Sequence, residues 1–525
     1  MKSKKFIFFI VFFIFLIFLK SDFRIINDLN CCNDDYDYFA HASTIGEDFD
    51  LDYSNQLPSQ SRFYRNEKDA PFGFIGTGLL SAPFIFFGNS VDNLFNYNGS
   101  AQFSAKYLIY SFSSTFYFLL SIMLLSKIQV FYKIKTNYFL FFIGSGITYY
   151  VFERYSMTPI YEVFTILSVI FLTQKFINNP KKRNYYSCLI PFVLLLSILV
   201  RWTNLFVFLV PIIVILSFED YEYGLIKSFF NKYFLGSFVL NFLLFMYFSK
   251  QVYGVITFSP SYVYMADEFA NELTKDVLGN IWNFSIEFLK DFFVICFSQE
   301  FGLFWFSPVI FIATFIVILK VLKFKTLQNL ILYFLLLISF LECFLIVSVW
   351  NSTASSYGYR YLFSLIPLSF LVIFINNDLI KKNLIFNYLK YFSIFAFIST
   401  LFFDATEYTT LSIEPIINSF GYEKIYSQPK YLEGFIKSIF IFEAYQKIIA
   451  TSFFFIILVE VLIYQLNIQT LSKFLSSFSS NNSDLADLLL KINEISLQYY
   501  LIVILVTLIF TKFITNHILK NKGEI

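Results

Sequence analysis

Charge is scarce in this chain: 14% of its 525 residues are Asp, Glu, Lys or Arg, and 39 basic side chains nearly balance 37 acidic ones. A net charge of +2 supplies no basic field for a polyanion, which excludes nucleic acid as a partner. Histidine occurs twice and cysteine five times. The vicinal Cys31 and Cys32 with the scattered Cys188, Cys296 and Cys343 form neither a disulfide framework nor a metal-ligand spacing. There is no internal repeat and no compositional break that would mark off a soluble domain, so residues 1–525 read as one membrane domain.

What the chain has in abundance is apolar surface. Hydrophobic residues make up 57% and mean hydropathy is +0.64, more than one soluble core can hide. The bilayer is therefore the main solvent, and the expected fold class is an all-α integral membrane protein. Apolar runs near 5–19, 103–126, 138–152, 157–173, 185–200, 203–218, 233–249, 303–319, 329–349, 361–376, 384–403, 448–466 and 498–515 supply the candidate spans. By the span-length rule they give about 11 to 13 transmembrane helices. The 76 Phe and 37 Tyr fit an AT-rich coding bias as well as a physical demand and carry no functional reading.

Lysines set the expected topology. Lys2, Lys4 and Lys5 precede the first run and place it with its N-terminus in the cytoplasm. Lys127, Lys133 and Lys135, then Lys175, Lys181, Lys182 and Arg183, then Lys227 and Lys232, then Lys320, Lys323 and Lys325, then Lys381 and Lys382 fall in successive cytoplasmic turns. The last helix breaks the rule, because alternation leaves Lys512, Lys520 and Lys522 outside. The run at 5–19 reads as a retained anchor, since no small-residue cleavage site follows it. Outer loops are then expected at 21–102, 250–300 and 404–447, and within the C-terminal part, 448–525, a cytoplasmic amphipathic segment at 467–497.

The first outer loop holds twelve carboxylates against Arg24, Arg62, Arg65 and Lys68. A solvated loop spared of lysine accounts for such an excess by itself, but the arrangement here is clustered. Asn33-Asp34-Asp35-Tyr36-Asp37-Tyr38 follows the first membrane run closely, and Glu47-Asp48-Phe49-Asp50-Leu51-Asp52 comes after a short amphipathic stretch. One carboxylate at the membrane surface can act as general base toward an acceptor hydroxyl or amine, and two can hold a divalent ion through oxygen. His41 between the clusters reads as a loop residue rather than a metal ligand. Residues 70–83, apolar but punctuated by Gly and Pro, read as a surface helix packed closely on the bundle.

Glu153, Arg154, Glu162, Arg201, Glu300, Arg360, Asp404 and Glu407 all fall at expected outer ends of helices. Charge at that depth is costly and usually faces a cavity. Arginines there suit a phosphate-bearing lipid head group, although each taken alone is equally well a snorkelling side chain. Glu342 and Glu460 lie deeper in their runs and have no reading from sequence. Trp202, Trp305 and Trp350 read as interfacial belt residues before sugar platforms.

The ordered set of motifs resembles bacterial GT-C-type membrane glycosyltransferases, the superfamily of protein mannosyltransferases and aminoarabinose transferases. The pieces are the acidic clusters, Pro71-Phe72-Gly73-Phe74-Ile75-Gly76-Thr77-Gly78, Leu199-Val200-Arg201-Trp202-Thr203-Asn204, Gly302-Leu303-Phe304-Trp305-Phe306-Ser307-Pro308 and Ser356-Tyr357-Gly358-Tyr359-Arg360-Tyr361. Trp202 stands where the family usually has proline, and Asp37 where many relatives carry histidine. The resemblance implies a GT-C-like fold whose extracytoplasmic first loop bears short juxtamembrane helices. It implies Asp34 and Asp35 as catalytic carboxylates, with Arg201, Arg360, Glu153 and Tyr38 toward substrate.

It also implies a polyprenyl-phosphate or pyrophosphate sugar donor and a glycan, lipid or protein acceptor at the outer face of a bacterial inner membrane. Some branches of the family use a divalent ion, Mg or Mn, and others need no cofactor. Two other readings stay open: a lipid-linked oligosaccharide flippase or other transporter, and a polysaccharide polymerase or ligase. A transporter calls for ionisable groups near the midplane and usually an internal repeat. The large loop at 404–447 keeps the polymerase reading alive.

Overall fold

The computed structural model describes residues 2–19, 25–26, 29–30, 34–57, 64–65, 68–71, 73–97, 104–136, 138–218, 223–258, 281–299, 301–350, 357–402, 432, 435–436, 439–440 and 497–521. Most of the expected loop 404–447, the run at 448–466, the segment 467–496, and Cys31, Cys32, Glu300, Asp404, Glu407 and Glu460 lie outside them. The described chain is helical apart from two antiparallel ladders of two residues per strand, Ile25–Ile26 with Leu29–Asn30 and Tyr64–Arg65 with Lys68–Asp69.

In chain order the helices are α1 (Lys2–Leu19), α2 (Asp34–Ser43), α3 (Gly76–Phe95), α4 (Ala105–Phe131), α5 (Phe139–Ile143), α6 (Ile147–Phe152), α7 (Pro159–Asn178), α8 (Arg183–Val200), α9 (Val210–Leu216), α10 (Tyr223–Phe229) and α11 (Lys232–Tyr253). They continue as α12 (Ile281–Phe297), α13 (Leu303–Phe306), α14 (Pro308–Leu322), α15 (Leu327–Trp350), α16 (Ile366–Ile375), α17 (Asn377–Lys382), α18 (Leu384–Phe402) and α19 (Leu497–Asn521). Six segments, 105–131, 159–178, 180–200, 232–253, 327–348 and 384–401, are long and apolar enough to cross a bilayer. The chain is an integral membrane protein. Leu235, Val239 and Leu243, four residues apart on α11, are more than half exposed and form the stripe a helix offers to lipid.

Several expected spans are broken. The run at 138–152 is not one helix but α5 and α6 around a turn at Gly144–Gly146, where Gly144 lies against the Ser393 backbone too closely for a side chain. The runs at 203–218 and 361–376 each begin as a 3-10 helix, Leu205–Leu209 and Arg360–Leu365, before becoming α9 and α16.

The segment after residue 70 is more regular than its glycines and proline suggest. It forms α3, 20 residues with Pro83 inside, longer than the packed helix expected over 70–83, while α2 is a short helix of the first loop. Tertiary contact explains this: a side chain at Gly76 would strike the Leu199 and Val200 backbone, at Gly78 it would strike α2 at His41, and at Gly88 it would strike α4 at Lys106. Close approach along the whole helix outweighs the poor helix propensity of glycine.

The two ends of the bundle differ in character. At one end Lys127 and Lys175 lie over the same Phe171 ring, and Tyr138 and Tyr333 bond Asn377 and Asn376. At the other end lie α2, the N-terminus of α3, and the breaks at Arg154, Arg201 and Arg360. The last helix obeys the lysine rule after all. Phe510 packs on Phe116, while Ile502 and Val506 face Ile109 and Phe112 across an apolar cavity of about 180 Å³ that α3 closes with Pro83, Phe84 and Phe87. α19 therefore runs parallel to α4, toward the Lys127 end, which corrects the sequence-based expectation that Lys512 and Lys520 lie opposite.

Candidate functional site

α2 starts the site. Its first turn carries Asp34, Asp35 and Asp37, where carboxylates favour the unpaired N–H groups of a helix N-terminus. A helix turns each residue by roughly 100° from the last, so adjacent acids face different surroundings. Asp35 and Asp37 are each 1% exposed, whereas the Asp34 side chain is 34% exposed.

Three arginines from three separate breaks in the bundle meet these acids. Arg154, in the turn between α6 and α7, donates through Nε to Asp35 Oδ2 at 3.0 Å and through a second guanidinium nitrogen to the same oxygen. That pair is buried at both ends. Arg360 donates to Asp34 Oδ2 at 2.8 Å in a pair that solvent reaches. Arg201, at the end of α8, lies 3.0 Å from Glu162 Oε1 of α7, and both are buried. The Arg201 and Arg360 guanidinium carbons sit 4.4 and 5.4 Å from the centre of the Tyr361 ring, so one tyrosine ring gathers both cations.

Local structure explains why the arginines arrive there. Gly76 of α3 packs directly on the Leu199–Val200 backbone, which fixes the residue before Arg201. Gly358 has φ +67°, the left-handed region open to glycine, and this turn launches Arg360. The turn is anchored by Tyr357, whose hydroxyl bonds Ser399 at 2.7 Å and whose carbonyl accepts from Tyr150 at 2.8 Å. Glu342, unexplained by sequence, accepts the Phe206 backbone N–H at 3.2 Å. It thus caps the 3-10 helix that follows the Arg201 turn, satisfying a donor that the break in the span leaves open.

The loop itself is pinned by His41, which is a buried residue in the last turn of α2 and not the loop residue expected. Its Nε2 lies 2.9 Å from the Gly73 carbonyl and must donate there; Nδ1 then accepts from the Tyr53 hydroxyl at 2.6 Å. Burial drives its pKa down to about 4 against the pull of that carbonyl, so the ring is neutral at ordinary pH. Tyr38 is buried against Gly73, and burial pushes its phenol well above the ordinary value. Asp48, Asp50 and Asp52 remain exposed and bond side chains or backbone within residues 52–56. They are the solvated acids of the loop.

Electrostatics favours an ionised Asp34. Burial alone raises its carboxyl, but Arg360, Arg154 and Arg201 together outweigh that and hold it below the ordinary 3.8. Asp34 is therefore a charged, solvent-reachable carboxylate, while Asp35 is committed to Arg154. Glu153 lies beside Arg154 at the end of α6 and is half-buried. The stronger anchor is its neighbour, because the guanidinium spans the gap to α2. Among the described residues no group of three or more His, Cys, Asp or Glu converges. Asp34 and Asp35 each face a guanidinium, so the donor set does not fit a divalent ion in this arrangement. Trp305 packs edge-on to Phe304 and close to Phe392 in an aromatic cluster.

The sequence-predicted Asp34, Asp35, Tyr38, Arg201 and Arg360 thus lie together at one end of the bundle. Sequence reasoning set Arg154 and Glu162 among the outer-end charges without giving either its own role, and it gave none to Tyr361, although that residue stands within a motif it singled out. Comparison with protein-family models, with curated proteins and with solved structures gives no match for this chain.

Proposed function

We propose that this chain is a membrane glycosyltransferase of the GT-C type, moving a sugar from a polyprenyl-phosphate donor to an acceptor at the extracytoplasmic face. The observation that carries the reading is the meeting of an accessible, ionised Asp34 with Arg360 at 2.8 Å and Arg201 on the shared Tyr361 ring. A nucleophile-activating base and a phosphate-facing guanidinium are the two groups that inverting sugar transfer requires. Lys127 and Lys175 lie at the opposite end, which favours the Asp34 end as the outer one by the positive-inside rule.

In this mechanism Asp34 takes the proton of an acceptor O–H or N–H as that atom attacks the sugar's anomeric carbon. The bond from that carbon to the phosphate oxygen breaks, and its electron pair leaves on the phosphate. Arg360, whose planar guanidinium can pair two phosphate oxygens, offsets the charge that develops there. Arg201, beside the same Tyr361 ring, adds positive potential, and Asp35 holds α2 through Arg154. A flippase reading is weaker, because the paired charges sit at one end of the bundle and the deeper Glu342 is occupied as a cap.

The test is turnover of purified Asp34→Asn protein with a polyprenyl-phosphate sugar that the wild type uses. Losing a general base costs about a hundred- to ten-thousand-fold. Activity within a factor of about three of wild type, far less than that loss, would remove Asp34 from the mechanism.

A further inference from the structure

Of the three arginines at the site, only one is held by a partner that solvent reaches. Arg154 and Asp35 are 4% and 1% exposed, and Arg201 and Glu162 are 7% and 0% exposed. Separating either pair strands a charge in the protein interior, which is strongly unfavourable. Arg360 and Asp34 are 19% and 34% exposed, so this pair is only part-buried and is the one of the three that solvent helps to open. Arg360 Nε, moreover, is buried and makes no hydrogen bond, so the guanidinium has donor capacity that Asp34 does not use. The Tyr361 ring, 5.4 Å from its guanidinium carbon, attracts the cation whichever partner it has.

We infer that the Asp34–Arg360 ion pair is a latch that an incoming phosphate opens: the phosphate takes Arg360 from Asp34, and the carboxylate so released becomes the base. This rests on the proposed function and adds an order to it. Before donor arrives, Asp34 is neutralised by the cation it faces and attracts an acceptor proton weakly. Once phosphate occupies Arg360, Asp34 loses that counter-charge and gains a neighbouring negative one. Both changes strengthen it as a base. The exchange is balanced in charge, because a phosphodiester monoanion replaces one carboxylate on one guanidinium. Acceptor activation then follows donor binding, and the resting protein does not deprotonate acceptor or water without it.

A latch predicts that breaking it from the Asp34 side tightens phosphate binding. Farnesyl phosphate and inorganic phosphate are titrated in parallel against full-length protein in detergent by microscale thermophoresis. The proteins are wild type, Asp34→Asn, Arg360→Gln and the double variant, each checked for folding by its melting curve. Removing a part-exposed competing partner should tighten farnesyl phosphate binding to Asp34→Asn by roughly three- to tenfold. Arg360→Gln should weaken binding, and the gain from Asp34→Asn should vanish in its presence. A gain with both ligands assigns the latch to phosphate alone; a gain with farnesyl phosphate alone assigns it to lipid-anchored phosphate.

Unchanged or weaker binding by Asp34→Asn overturns the latch while leaving Arg360 as a phosphate site. So does a gain that persists beside Arg360→Gln, since the effect is then general repulsion and not exchange. Absence of binding by wild type and Asp34→Asn alike removes the phosphate site and the latch with it.

Discussion

Asp34 and Asp35 are neighbours with opposite assignments, and their asparagine variants should separate stability from activity. Asp35→Asn leaves Arg154, 4% exposed, without its counter-charge. Removing one member of a buried pair costs about 3 to 5 kcal/mol, against a total stability of roughly 5 to 15 kcal/mol for a typical domain. Asp34→Asn breaks a part-buried pair that solvent reaches, so its loss should cost clearly less than that of the enclosed pair. In a Cys31→Ser, Cys32→Ser background the buried thiols of Cys296 and Cys343 supply the assay, since a thiol-reactive dye reports them as the bundle opens, over a baseline set by exposed Cys188. In mild detergent Asp35→Asn should melt well below wild type, and Asp34→Asn should melt close to it. A double variant, Asp35→Leu with Arg154→Met, replaces the pair by apolar groups and should recover much of the loss. Equal melting of the two single variants would refute the division of roles. Failure of the double variant to recover would show that the stranded Arg154 charge is not the cause.

Two further outcomes follow from α2 and α3. His41 has a folded-state pKa of about 4, below its ordinary 6.5, so the unfolded chain binds the proton more readily. Its contribution to stability is complete above 6.5 and is lost as pH falls from there through about 4. Replacement by Phe should flatten the fall in melting temperature over that window; an unchanged slope would detach His41 from acid sensitivity. Gly76→Ala places a methyl 2.3 Å from the Leu199 and Val200 backbone, which must shift the Arg201 turn. Overpacking of this kind costs about 1 to 3 kcal/mol and should lower transferase turnover, whereas Gly236→Ala, in open space on α11, should lower neither. Equal behaviour of the two alanine variants in melting and turnover would count against the Gly76 contact as the element that positions Arg201.

The membrane class and most of the helical segments are legible in the sequence because they depend on local quantities. Run length against bilayer thickness gives the spans at 103–126, 157–173, 185–200, 233–249, 329–349 and 384–403, each matched by a long apolar helix. The lysine alternation likewise anticipates that Arg154, Arg201 and Arg360 share one end, since each hairpin returns the chain to the same side.

What the tertiary structure alone decides is pairing. Asp34 and Arg360 are 326 residues apart, and Asp35 and Arg154 are 119 apart. No local pattern says which of two adjacent acids turns inward on α2. The break at Gly144–Gly146, the continuity of α3 through Pro83 and the direction of α19 were hidden for the same reason. Each is set by a neighbouring helix, Ser393 of α18 for the first, the α8 end at Val200 for the second and Phe116 of α4 for the third. Hydropathy records that a residue prefers lipid or protein to water, and it carries no information about which helix will supply the contact.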